Sequence, residues 1–196
     1  MTRAWPRAGG NLTAMKDMSF QAGGGRSYKY LLPSIQPLYE FGEGLSFTSF
    51  SLKLSETPPA AAVALSSVPT SVCVDVANTG KRASPMVVAL FSAPSKPPAG
   101  LRLVPNRQLI GFDKALTSPG TAAVKICFEI SDADLAMVDD VGSHIAFEGD
   151  YVLTFFDGAS KVMSKARIET TRTVAIIPPV DNPQPPCCQG SETSCC

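Results

Sequence analysis

Histidine, tryptophan and net charge are all scarce in this chain, and each shortage removes a class of function. His144 is the only histidine in 196 residues. Any Ser-His-Asp or Cys-His arrangement would have to pass through it, yet no G-x-S-x-G motif accompanies it, so an edge-strand or loop histidine is expected. Lys and Arg number 17 and so do Asp and Glu, giving a formal charge of zero. Nucleic acids and anionic membranes both select for surplus Lys and Arg, so neither is an expected partner. No run approaches the roughly 18 apolar residues of a membrane span. The longest small-apolar stretch, Ala60 to Leu65, is bounded by serines and prolines, and a soluble chain is expected. MTRAWPRAGGNLT lacks the apolar core of about 7 to 15 residues that a secretory signal needs. Either the protein is intracellular or its true beginning is absent, and the sequon Asn11-Leu12-Thr13 matters only if the chain is secreted. Charged residues make up 17% of the chain, against a usual figure of about 25%, which suits a surface largely covered by a partner.

Turn formers, by contrast, are plentiful: 17 Pro and 15 Gly. The length fits one domain with attachments, at about 150 residues per domain. Eight of the 15 aromatic residues fall in the first 50 positions: Trp5, Phe20, Tyr28, Tyr30, Tyr39, Phe41, Phe47 and Phe50. Gly23 to Gly25, Pro33, Pro37, Gly42 and Gly44 interrupt that stretch too often for a long helix. An extended, wrapping segment is expected there.

From about residue 45 the pattern becomes short strands between turns, as in an all-β sandwich. Phe50, Leu52 and Leu54 alternate with polar residues, and Val72, Val74 and Val76 alternate with Cys73 and Asp75. Asn78-Thr79-Gly80 marks a turn, and Met86 to Phe91 is the continuous apolar run of a central strand. Pro94, Pro97, Pro98 and Pro105 mark a long connection before Gln108 to Leu116. Val124, Ile126, Phe128 and Ile130 alternate strictly with Lys125, Cys127 and Glu129. Ser131 to Asp139 reads as a turn or one short helical turn, with Leu135 and Val138 on one face. Residues 144–148 and 151–156 read as two strands joined at Gly149-Asp150, and 167–177 as a last one. Seven or eight strands in this length match an immunoglobulin-like sandwich of about 100 residues with longer loops. The tail 178–196 holds five prolines and no apolar pattern, and is expected to be disordered.

The candidate sites read mostly as structural. Asp132, Asp134, Asp139 and Asp140 lack the glycine and the late bidentate Glu of a calcium loop, so a solvated turn is expected. Glu148 and Asp150 flank Gly149 as ordinary hairpin acids. Gly23-Gly24-Gly25-Arg26 has no preceding strand and no evident helix after it, which argues against a phosphate cradle. Cys187, Cys188, Cys195 and Cys196 offer four thiols, but vicinal pairs match poorly the usual spacing of zinc ligands. Their role is left open, and Cys73 and Cys127 lie alone in their strands.

One block is far more specific. Gly25-Arg26-Ser27-Tyr28-Lys29-Tyr30, followed by Pro37 to Phe50 (PLYEFGEGLSFTSF), resembles the GRTYRY and PLYPFGYGLSYTTF segments of glycoside hydrolase family three. There they close the α/β sandwich domain and lead into a C-terminal fibronectin type III-like domain. LTAMKDMSF at 12–20, VDVANTG at 74–80, Val87 to Phe91, QLIGFD at 108–113, Leu135 to Gly142 and Gly149 to Leu153 are similar to further landmarks, most of all in the β-xylosidase branch. Glu40 stands where Pro is usual and Glu43 where an aromatic is usual.

The resemblance implies a mainly β chain: residues 1–44 as the terminal strip and linker of the α/β sandwich domain, 45–177 as an immunoglobulin- or fibronectin type III-like β-sandwich, and 178–196 as a tail. In the linker, Gly42 and Gly44 would permit positive φ while Tyr39, Phe41 and Phe47 wedge between domains. Retaining glycosidases need two carboxylates about 5 to 5.5 Å apart. In the resembled family both are supplied upstream of the matched region. No residue is therefore assigned as catalytic, cofactor-binding or metal-binding, and no cofactor is implied. The implied role is that of a structural accessory domain, silent alone, in a β-xylosidase-like exo-glycosidase. Its partners would be the upstream catalytic domains or another covering protein. An intact parent would be secreted or bound to the cell wall. The competing reading is a free-standing module that binds a plant-type polysaccharide, an oligosaccharide or a protein.

Overall fold

A computed structural model describes residues 19–20, 24–32, 34–55 and 62–174. Trp5, the sequon, Gly23, Pro33, the tail with its four cysteines and the far end of the expected last strand lie outside the described residues.

The elements in chain order are one helical turn, α1 (Ser27–Tyr30), and then β1 (Phe50–Leu54), β2 (Val63–Leu65), β3 (Thr70–Asn78), β4 (Ser84–Pro94), β5 (Gln108–Thr117) and β6 (Val124–Ile130). A 3₁₀ turn (Asp132–Leu135) precedes β7 (Met137–Val138), β8 (His144–Ala146), β9 (Gly149–Phe156), β10 (Lys161–Ile168) and β11 (Arg172–Thr173). They form a β-sandwich. A three-stranded sheet, β1-β3-β6, faces a five-stranded sheet, β2-β10-β9-β4-β5, and a short ribbon β11-β8-β7 sits beside them. Pairing is antiparallel except between β2 and β10.

Alternation of side chains along each strand builds the core. Leu52, Val72, Val74, Val76, Ile126, Phe128 and Ile130 point inward from the smaller sheet. Met86, Val88, Leu90, Tyr151, Leu153, Phe155, Ala166 and Ile168 meet them from the larger one. Full burial of such a side chain is worth about 1.5–3 kcal/mol. The hydroxyl of the buried Tyr151 donates to the Phe147 carbonyl at 2.8 Å, the reach-back of a tyrosine corner in immunoglobulin-like sandwiches. Burial pushes its pKa up to about 12.

The run Met86 to Phe91 lies in an interior strand, flanked by β9 and β5, and its outer face is exposed at Val87 but covered at Phe91. Val88 and Leu90 enter the core, whereas Phe91 points to the outer face of the sheet and is nevertheless only 1% exposed. Phe155 and Phe156 divide in the same way, Phe155 joining the core and Phe156 buried outside it.

Several expectations need correction. Eleven β elements are present among the described residues, not seven or eight. β10 escapes the apolar pattern because Ser164 and Ala166 interrupt its inward face between Val162 and Ile168 while Met163 faces out. The expected strand over 167–177 is divided between the end of β10 and the separate β11. β8 and β9 do not pair as a hairpin; they belong to different sheets. Leu135 is buried but Val138 is exposed, since β7 begins at Met137 and it is Met137 that turns inward. Cys73 and Cys127 are not alone: they stand opposite each other on β3 and β6 and form a disulfide on the sheet's outer face.

Candidate functional site

The feature that the sandwich alone does not explain is the strip before β1, which is fastened across the outer face of the five-stranded sheet. Its path is set by close backbone approaches. Gly25 adopts φ +96°, and a Cβ there would fall 1.9 Å from the Tyr30 carbonyl oxygen. α1 follows directly, so the expectation of no helix after the glycines is corrected, although one turn of helix is too short to build an anion site. The backbone N–H of Asn106 donates to the Lys29 carbonyl at 2.6 Å, and its side-chain amide donates to the Leu31 carbonyl at 2.6 Å.

Three aromatic rings then lock together. Tyr28 stacks on Phe41 with centroids 4.2 Å apart, and both meet the edge of Phe91 at 5.9 and 6.0 Å. The Tyr28 hydroxyl accepts from the Leu109 N–H at 3.3 Å. Glu40 completes the fastening. It accepts from Lys161 Nζ at 2.7 and 2.8 Å and from Arg107 Nη1 at 3.2 Å. Those two cations lie over rings of the sheet, Arg107 over Phe91 at 5.1 Å and Lys161 over Phe156 at 5.3 Å. Partial burial works to raise the Glu40 pKa, but the hydrogen bonds and charges of Lys161 and Arg107 outweigh it and hold the carboxyl below its ordinary range. The departure at position 40 thus has a local reason: a charge replaces a proline and gains two partners.

Gly42 takes φ +87° with its Cα side against Phe156, and its carbonyl passes the β9–β10 turn at Gly158. Gly44, expected to need the same freedom, shows no positive φ. The strip ends in a buried polar clamp. Asn78 Oδ1 accepts from Thr48 Oγ1 and the Gly80 N–H, while Nδ2 donates to the Arg82 and Thr117 carbonyls. A Cβ at Gly80 would lie 2.1 Å from Thr48 Oγ1, which gives VDVANTG its glycine.

The other side of the strip is bare. Leu45 and Phe47 are almost wholly exposed, and Leu38 and Tyr39 are about half exposed. Of the three aromatics expected to wedge between domains, Phe41 packs on the sandwich. Tyr39 and Phe47 face away from it.

Elsewhere the acidic residues are tied up in structure. Asp132, expected in a solvated turn, is 3% exposed and holds Arg172 with both oxygens. Those hydrogen bonds, against the opposing effect of burial, lower its pKa. Asp134 Oδ2 accepts from the Ser131 N–H and hydroxyl as a capping box. Asp139 Oδ1 accepts from the Val141 and Ser143 N–H groups. Asp150 pairs with Arg167 at 3.5 Å, and the Glu148 N–H donates to Thr171 Oγ1. His144 sits in β8, the middle strand of its ribbon, and not at an edge. Among the described residues no three His, Cys, Asp or Glu converge as metal ligands. Among the described residues, the best-defined feature is therefore the strip fastened to the five-stranded sheet through Tyr28, Glu40 and Phe41.

No protein-family model matches the chain. It is 36% identical over 143 residues to a probable β-glucosidase I of Aspergillus fumigatus, covering 70% of this chain and 17% of that protein. It is 35% identical over 146 residues to a probable β-glucosidase G of Aspergillus flavus, covering 64% and 17%. The chain is related to part of a glycosidase. A probable exo-1,4-β-xylosidase of Aspergillus clavatus is 26% identical over 166 residues, covering 75% and 20%. The chain therefore spans no more than about a fifth of the length of these curated relatives. In solved structures, β-glucosidase 3B of Thermotoga neapolitana matches with TM-score 0.57 and 25% identity over 72% of this chain and 19% of its own. The Kluyveromyces marxianus β-glucosidase matches with TM-score 0.63 over 75% of this chain and 18% of its own, and at 21% identity that likeness concerns the fold.

Proposed function

We propose that this chain is the C-terminal accessory portion of a retaining exo-glycosidase of glycoside hydrolase family three, with residues 45–177 as its fibronectin type III-like domain. In this reading 1–44 is the terminal strip of the preceding α/β sandwich domain and 178–196 a tail. The observation that carries it is the two-sided strip. One side is pinned to the sandwich by Tyr28, Phe41 and Glu40, and the other presents Leu38, Leu45 and Phe47 to solvent. An isolated domain gains nothing from such a surface, whereas upstream domains of the same enzyme would cover it. The tyrosine corner at Tyr151 supports the fibronectin type III-like assignment.

The parent would hydrolyse a terminal β-linked sugar, xylose or glucose, through two carboxylates supplied by its upstream domains. The sandwich buttresses them and is catalytically silent by itself.

The size of the native polypeptide tests this. Source extracts are blotted with an antibody raised against the sandwich. A single band several times the 20.6 kDa of this chain is expected. A band near 20.6 kDa would overturn the reading, as would release of nitrophenol from aryl β-xyloside or β-glucoside by the purified chain.

A further inference from the structure

A cavity of about 470 Å³ lies where α1, the 103–108 connection and the β7–β8 ribbon converge, away from the strip's bare side. Its volume is in the range of small-molecule sites, about 300–1,000 Å³. Tyr30 and Lys29 form one wall, Gln108 comes from the start of β5, and His144, Asp139 and Asp140 come from the ribbon end. Met137 and Pro105 supply apolar floor. The strip builds the wall: the Asn106 bonds to Lys29 and Leu31 hold α1 against the connection.

Much of the hydrogen-bonding capacity around this space is unspent. The side chains of Lys29, Tyr30, Gln108 and His144 have no hydrogen-bond partner among the described residues. Asp139 uses Oδ1 on its own loop and keeps Oδ2. Asp140 has only a loose, solvent-exposed pairing with Arg102 at 3.9 Å. Donors and acceptors are thus both present.

That mixture selects a ligand chemistry. A phosphate or carboxylate would meet Asp139 and Asp140, and a cation would meet Lys29. An apolar ligand would match none of these polar groups and would leave unpaired any that it shields from water. A neutral polyol offers hydroxyls that donate to carboxylates and accept from amide, ammonium and imidazole groups. Tyr30, whose ring is braced by Phe20 at 5.2 Å, adds apolar surface to the wall.

We propose that this cavity is a binding site for a neutral saccharide of one or two rings, distinct from the aromatic fastening of the strip. It needs only this chain, so it stands or falls independently of the parent enzyme.

The test is an NMR titration of the isotope-labelled full chain with xylose, glucose and their β-linked disaccharides up to about 100 mM, a range suited to millimolar affinity. Saturable shifts centred on Lys29, Tyr30, Gln108 and His144 are expected with at least one of these sugars. His144→Ala and Lys29→Ala should each weaken that binding, by about threefold or more in whichever variant keeps native peak dispersion. No saturable shift, shifts centred elsewhere, or less than about threefold change in both variants would overturn the proposal.

Discussion

Phe41 is the residue through which the strip's attachment can be measured. Truncation to Ala removes the stack on Tyr28 at 4.2 Å and the edge contact with Phe91 at 6.0 Å. Each aromatic pair is worth about 0.5–1.5 kcal/mol beyond burial. A core Phe→Ala change costs about 3–5 kcal/mol, and Phe41 is only half buried, so about 2–3 kcal/mol is expected. At about 1.4 kcal/mol per tenfold, opening of the strip becomes roughly 30- to 150-fold more frequent. Hydrogen exchange read by mass spectrometry resolves where that cost falls. Amides fastened by the strip, such as Leu32 to Gly24 and Asn106 to Lys29, should exchange faster by that factor, while β3 and β6 keep their protection. Equal acceleration in strip and sandwich would refute the reasoning, because the two would then open as one unit. Unchanged exchange in the strip would refute it too, since the rings would not be what holds it.

Acid should loosen the molecule at two places. Glu40 and Asp132 both have pKa values below the ordinary carboxylate range, so their stabilisation is complete above the unfolded value, near pH 4, and is lost as pH falls through the depressed one. Glu40→Gln should flatten that loss for the strip alone, with less than about 1 kcal/mol at neutral pH because the pair is partly solvated. Tyr151→Phe leaves the Phe147 carbonyl without its donor, and a loss of about 1–3 kcal/mol should lower the melting temperature by several degrees; no shift would remove the tyrosine corner as a structural element. Cys73 and Cys127 are 54 residues apart in sequence, and reduction or Cys73→Ala/Cys127→Ala should cost about 2–4 kcal/mol by denaturant titration. A midpoint insensitive to reductant would show that the cross-link contributes nothing.

The strands that carry strong alternation are legible without coordinates. β1, β3 and β6 follow from Leu52, Val72 to Val76 and Ile126 to Ile130, because a period of two with one apolar face has a single way to be buried. The central place of Met86 to Phe91 follows from its unbroken apolarity. Of the linker motif's two glycines, Gly42 takes the positive φ expected of it and Gly44 does not. What local pattern does not carry is pairing at long range. β10 turns Ser164 and Ala166 inward beneath larger neighbours, and its true register appears only beside β9.

The sequence by itself determined that this is a β-rich chain with an aromatic-rich front and a weakly charged surface, since those properties sum over residues whatever their neighbours. Tertiary structure alone decided which side of each residue matters. It set Cys73 opposite Cys127, gave Glu40 its partners 67 and 121 positions away, and buried Asp132 beneath the more exposed Arg172. It also divided the linker's aromatics, packing Phe41 onto the sheet and leaving Phe47 in water. Contacts of that separation depend on how two sheets and a strip close over one another, and no local period records that closure.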